Sequence, residues 1–278
     1  MQSVIKTIFL LGILSVLVIT LGRLFGGEQG MMMAFFFALV MNGGMYFYSD
    51  KLALSMSQAQ PLDHKKYPEL YKIVEELAKK MDMPMPKLYI TPDRQANAFA
   101  TGRGPGNASV AVTAGILQVL SKEELRGVLA HELAHVKNRD VLVATIAAVL
   151  ASVLSFLANM SLFSGGNRDE ENSPNPIIML VAAICVPIAA SFIQMAISRQ
   201  REFGADYTGA KTIGSGKELA QALMAIHDTA RTFPKEANPA ISSLYIGDPT
   251  GGIGGTLMKL MSTHPPVEER VKRLMNMK

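Results

Sequence analysis

The chain has 278 residues, room for one large domain or two small ones, and its 49% apolar content with a mean hydropathy of +0.22 is high for an ordinary soluble domain. Its single cysteine, Cys185, rules out an internal disulfide and any zinc site built on paired cysteines. The formal charge of +4 does not point to nucleic acid, because the basic residues mostly flank apolar segments, as positive-inside topology requires, and no basic stripe interleaves with aromatics.

Residues 4–25 are apolar apart from Lys6 and Arg23, whose long side chains can snorkel, so the segment can span a bilayer. A cleavable signal peptide is disfavoured, since no clear A-x-A site follows and a second span, residues 31–48, comes at once. Tyr46 and Tyr48 suit its interfacial end, and Gly43-Gly44 allows close helix packing. Residues 51–86 change character: Leu70, Ile73, Val74 and Leu77 mark an amphipathic helix that ends between Asp82 and Pro86. Short strands are expected at 87–91, 95–101 and 108–113, the last two forming a hairpin around Gly102-Arg103-Gly104-Pro105-Gly106-Asn107.

Residues 121–140 follow, with Ser121 and Glu124 in a capping-box spacing ahead of an apolar face of Leu125, Val128 and Leu129. This predicted helix carries His131-Glu132-Leu133-Ala134-His135, an H-E-x-x-H motif. Histidines four apart stand one turn above each other and can grip one tetrahedral zinc, while Glu132, about 100° round, can reach the attacking water as general base.

Residues 141–163 carry no charge and can span; 165–174 form a short polar loop; 175–197 are a fourth span, with Pro187 expected to kink it. Beyond Ser198 the chain reads as soluble, with a helix at 215–230, a Gly-rich loop at 246–255 and a short charged helix at 266–277. The Gly-rich loop lacks a following G-K-[ST], which excludes a phosphate-binding loop and leaves a connector or a flap. With four spans, Lys6, Lys51, Lys137, Arg139, Arg199 and Arg201 fall on one side, so both termini and all soluble sequence are expected in the cytosol. The expected organisation is a membrane pair in 1–50, a soluble part in 51–140, a membrane hairpin in 141–197 and a second soluble part in 198–278.

A catalytic zinc site needs a third protein ligand. His64 sits among charges and His227 in a polar-ended helix; beside His264, Glu202 is the better candidate, with Asp206 one turn on as a carboxylate able to orient a zinc-bound imidazole. On spacing alone, a solvated charged helix leaving the membrane fits Arg199, Arg201 and Glu202 equally well. The substrate backbone needs an extended partner, and the strand at 95–101 can offer an edge for strand addition, with Asn97, Ala98 and Phe99 as candidate contacts, Asn97 through hydrogen bonds and Phe99 more by core packing.

The order of Asn97-Ala98-Phe99-Ala100-Thr101-Gly102, His131–His135, a hairpin of spans, Arg201-Glu202-Phe203-Gly204-Ala205-Asp206 and Thr263-His264-Pro265-Pro266 with Arg270 resembles the HtpX family of bacterial membrane zinc metalloproteases, relatives of the CAAX prenyl-protein endoproteases. The resemblance covers essentially the whole chain; Ala134 stands where the CAAX relatives usually carry Gly, another small residue. It implies one Zn2+ per chain held by His131, His135 and Glu202, with Glu132 as base, Asp206 behind the ligands and His264 as a second electrophile. It further implies a bacterial inner-membrane location and stress-linked quality control, with membrane-protein or peptide substrates and other quality-control proteases as partners. The expected fold is an α/β membrane protein, mainly α, with four transmembrane helices and a cytosolic gluzincin-like protease domain bearing a small hairpin or sheet. The alternatives are CAAX-type processing, against which four spans weigh, and a membrane scaffold with a structural zinc, which has no use for Glu132.

Overall fold

The computed structural model describes residues 2–22, 27–163, 176–233, 245–247 and 264–277, and its contacts separate into two units, residues 1–46 with 143–200 and residues 47–142 with 201–278. The first unit holds helix α1 (Gln2–Leu21), most of α2 (Gly27–Met56), most of α6 (Asp140–Phe163) and the first two-thirds of α7 (Pro176–Ile213). Its interior is built from Leu14, Val18, Ala34, Ala38, Leu154, Leu157, Ala190 and Ile197, so small alanines alternate with leucines where helices meet. Its outer surface is also apolar, with Ile8, Phe9, Phe36, Val181 and Ile184 all more than half exposed, a surface suited to lipid rather than water. Stretches of α6 and α7, residues 140–158 and 179–213, are long and apolar enough to cross a membrane, and α2 makes a third if it counts as one span. Helix α1 is apolar over Ile5–Leu21, a shorter run. Helix α7 runs unbroken through Pro187 and on to Ile213, well past the expected end of the fourth span. The polar loop at 165–174 lies outside the described residues.

The second unit is organised around α5 (Lys122–Lys137). Its capping box is formed in full: Ser121 Oγ accepts from the Glu124 N–H, and the Glu124 carboxylate accepts from the Ser121 N–H at 2.8 Å. Helix α5 packs on α3 (Pro68–Lys80), on α8 (Lys217–Thr232) and on a strand edge. Helix α3 turns Leu70, Ile73, Val74, Leu77 and Ala78 inward, as its period predicts, and each large side chain so buried stabilises the fold by about 1.5–3 kcal/mol. A short α4 (Ala114–Val119) leads into α5, and α9 (Val267–Met275) closes against α8.

The sheet has the order β1-β2-β4-β3, with β1 at Gln60–Pro61, β2 at Lys87–Thr91, β3 at Ala98–Thr101 and β4 at Ser109–Thr113. Strands β3 and β4 form the expected antiparallel hairpin, whereas β2 pairs with β4 in parallel and the two-residue β1 adds an antiparallel edge. At the hairpin turn Gly102 has φ +115, and a Cβ there would lie 1.9 Å from the Asn107 carbonyl oxygen, so no other residue fits. Strand β3 is shorter than the expected 95–101 because side chains take over the pairing before it: Gln95 N–H donates to Asp93 Oδ1 and Asn97 N–H donates to Thr113 Oγ1. Helix α5 does not continue into α6. Asn138 ends it, Arg139 adopts φ +56, and α6 starts afresh at Asp140.

Candidate metal site and its surroundings

The two histidines of α5 project one turn apart toward α7, with His131 fully buried and the His135 side chain 20% exposed. Their Nε2 atoms are 3.0 Å apart, and the Glu202 carboxylate lies 3.6 Å from His131 Nε2 and 3.4 Å from His135 Nε2. The three donor atoms lie within 4.8 Å of one another. Tetrahedral zinc with ligands at about 2.0–2.2 Å sets its donors roughly 3.4 Å apart, so the cluster has the size of such a site. Glu202 Oε2 is buried and forms no hydrogen bond of good geometry, with Arg270 Nη1 and His264 Nδ1 each 3.3 Å away, a carboxylate oxygen that a metal ion could still take.

Each imidazole presents Nε2 to the cluster because its Nδ1 is held from behind. Asp206 Oδ1 is 3.0 Å from His131 Nδ1, and Asp140 Oδ2 is 2.7 Å from His135 Nδ1. Each of these aspartates is gripped in turn by a buried arginine. Arg270 donates to both Asp206 oxygens, at 2.9 and 2.7 Å, and to the Ile246 carbonyl at 2.9 Å. Arg201 donates through Nε to Asp140 Oδ1 at 2.5 Å and approaches the same oxygen with Nη2. Burial works against the charge on Arg270, yet Asp206 and Glu202 outweigh it and raise its pKa. Burial and Arg270 likewise disfavour a charged His131, but the carboxylates of Asp206 and Glu202 prevail and raise its pKa to about 9. His135 moves upward too, the carboxylates of Glu202 and Asp140 overcoming burial.

Glu132 reaches the sheet edge, where its Oε2 accepts the Ala100 N–H of β3 at 2.9 Å. Burial pushes its pKa upward against the nearby histidines, toward the range in which a carboxylate can both take and return a proton. His264 completes the cluster, with Nδ1 3.3 Å from Glu202 Oε2. Of the expected substrate contacts, Ala98 packs into the main core, and Phe99 packs against Ala53 and Ala111 as a core residue. Asn97 is buried, with its Oδ1 accepting the Ile246 N–H at 3.0 Å. Of the Gly-rich loop only 246 and 247 fall among the described residues.

Sequence reasoning missed Asp140 and Arg201 and gave Arg270 no task of its own. Asp140 was invisible because in an unbroken helix it would point about 140° away from His135. Arg270 left a clear signal: Val267, Arg270, Val271 and Leu274 share one face of α9, a charge on the apolar stripe, where it is fully buried.

An H-E-x-x-H helix whose histidines meet a glutamate from a second, apolar-ended helix defines a metallopeptidase of the membrane. The profile of Peptidase family M48 matches residues 64–278, and the chain belongs to that family. It is 50% identical over 277 residues to a protease HtpX homolog of Ralstonia nicotianae, covering 98% of this chain and 96% of that one, and 48% identical over 280 residues to one of Persephonella marina, with 98% and 96% covered. Its fold is similar to that of the S. mikatae Ste24p crystal structure, with a TM-score of 0.61 at 20% identity, over 98% of this chain and 65% of that one. The protein is an integral membrane metalloprotease of the HtpX type.

Proposed function

We propose that the chain is a zinc-dependent endopeptidase in which His131, His135 and Glu202 hold one Zn2+ and Glu132 is the general base. The observation that carries this is the convergence of three donors within 4.8 Å beside the buried Glu132 carboxylate. A bound zinc ion supplies Lewis-acid polarisation of the scissile carbonyl and acidifies the attacking water. Glu132 takes the proton from that water and returns it to the leaving amine, a role its raised pKa favours. His264, 3.3 Å from Glu202, donates to the oxyanion that develops on the carbonyl. The substrate backbone pairs with the outer edge of β3, where Ala98 supplies main-chain groups, Phe99 backs the strand through its pairing with Ala111, and Asn97 holds the strand to Ile246.

The polypeptide spans the bacterial inner membrane four times as a gluzincin-like protease with both termini and the site in the cytosol, an orientation supported by the Lys and Arg distribution. Glu202 lies on the same unbroken helix as the last apolar stretch, which favours membrane-anchored or partly extracted proteins as substrates, and the likeness to HtpX proteases favours a part in their quality control. The test is metal analysis and cleavage of an unstructured casein by detergent-solubilised protein. One zinc per chain is expected, lost in His131→Ala, His135→Ala and Glu202→Ala. Full metal content in Glu202→Ala would refute the ligand set.

A further inference from the structure

His135 is the more exposed of the two cluster histidines, and an imidazole ring swings easily about its last torsion unless something holds Nδ1. Asp140 holds it at 2.7 Å, but an aspartate five residues along a helix would point about 140° away. The αL turn at Arg139 re-aims the chain and brings Asp140 back beside His135. Asp140 is itself a short buried side chain with two torsions, and its remaining oxygen, Oδ1, is gripped by Nε and Nη2 of Arg201. Arg201 is only 8% exposed, and burying a guanidinium costs several kcal/mol unless it is paired in good geometry.

Arg201 immediately precedes Glu202. Adjacent helical residues diverge by about 100°, so one turn of α7 sends Glu202 to the histidine nitrogens and Arg201 to Asp140. The result is a closed circuit: Glu202 to Arg201 through the backbone, Arg201 to Asp140, Asp140 to His135, and His135 back to Glu202 at 3.4 Å. We propose that Arg201 is a positioning residue for metal binding: acting through Asp140, it fixes the ring of His135 and ties it to the helix that carries Glu202. The inference rests on the reading of His131, His135 and Glu202 as the metal ligands.

The test measures zinc affinity of the full-length protein in detergent by competition with a chromophoric chelator, and the visible absorption of the cobalt(II)-loaded protein, for wild type, Asp140→Asn, Arg201→Met, Arg201→Lys and Asp140→Asn/Arg201→Met. Each single change is expected to weaken zinc binding about 10–100-fold, Arg201→Lys least because it keeps the charge but not the two-nitrogen grip. Because Arg201 acts through Asp140, the double variant should bind about as weakly as the weaker single, and all should show an altered cobalt band. Wild-type zinc affinity and cobalt band in a folded Arg201→Met, or fully additive losses in the double variant, would overturn the proposal. If Arg201→Met does not fold, Arg201→Lys decides, and wild-type affinity in it overturns the proposal as well. Wild-type protein that binds no zinc, or His135→Ala that binds it undiminished, would instead refute the ligand assignment.

Discussion

Gly209 sets how closely α7 approaches the metal-binding helix, and Gly209→Ala isolates that effect. A Cβ at Gly209 would lie 3.0 Å from the His131 backbone nitrogen and 3.1 Å from His131 Cα and the Ala130 carbonyl carbon. Ordinary contacts begin near 3.4 Å, so α7 must retreat from α5 by about 0.4 Å or more, and the atoms in the way are backbone and cannot turn aside. Alanine improves helix propensity by about 1 kcal/mol, while overpacking costs about 1–3 kcal/mol, so the net stability change is small, on the order of 0–2 kcal/mol of loss. Function should suffer more. Glu202 and Asp206 ride on the displaced helix, and misplacement approaching 1 Å at a catalytic constellation can cost roughly 100-fold in rate. The assay is casein cleavage and zinc affinity beside a thermal melt, with Gly43→Ala as control, since a Cβ at Gly43 meets nothing within 4 Å. A Gly209→Ala protein with undiminished cleavage and zinc affinity would refute the argument that this contact sets the spacing of the site.

Glu132→Gln should keep the fold and its zinc while cleavage falls by about 10²–10⁴-fold, the usual range for removing an acid–base group; equal activity would remove Glu132 from the reaction. Binding of zinc to His131 requires the neutral ring, and its pKa of about 9 means that a proton leaves on binding at pH 7.5, so zinc affinity should rise with pH up to about 9, and calorimetry in buffers of different ionisation enthalpy should detect proton release. For chelator-treated protein the sign reverses: a raised histidine pKa contributes stability that is complete below about 6.5 and is lost as pH rises to about 9, so its melting temperature should fall across that window, and a flat profile would contradict the shift. Ser121→Ala should cost about 1 kcal/mol by removing the cap of α5, read as a lower melting temperature; an unchanged one would show that the cap does not contribute.

What the sequence made legible was what lies within one helical turn. The capping box at Ser121 and Glu124, the stacked His131 and His135, and the shared face of Glu202 and Asp206 all follow from a fixed period of 3.6 residues. Features that depend on a single unusual backbone angle or on distant pairing were not legible. Asp140 meets His135 only because Arg139 leaves the helical region, and β2 pairs with β4 in parallel although β3 lies between them in sequence. The two-residue β1 carries too little pattern to detect. Asn97 shows a different limit: its place in an edge-strand motif suggests a group facing the substrate, while the side chain is buried on Ile246.

The stripe Glu202, Ala205, Asp206 and Gly209 explains why short acidic side chains suffice on α7. These residues follow the i, i+3, i+4, i+7 rule and so form one face, and three of them abut α5: Glu202 and Asp206 through the histidines, Gly209 through the His131 backbone. Ala205 is fully buried among the same core residues. The small residues and the acids alternate because they do linked tasks. Alanine and glycine let the two helices approach until, at Gly209, backbone faces backbone, and only at that separation can a glutamate reach the Nε2 atoms while an aspartate one turn on reaches Nδ1 of His131. Interchanging the acids would therefore fail at both positions: an aspartate at 202 would stop about one methylene short of the histidine nitrogens, and a glutamate at 206 would have to fold back against Arg270, whose two nitrogens already fix both carboxylate oxygens. The reach of each acid, set by the closeness of two helices, is thus what makes one carboxylate a candidate ligand and the other its support.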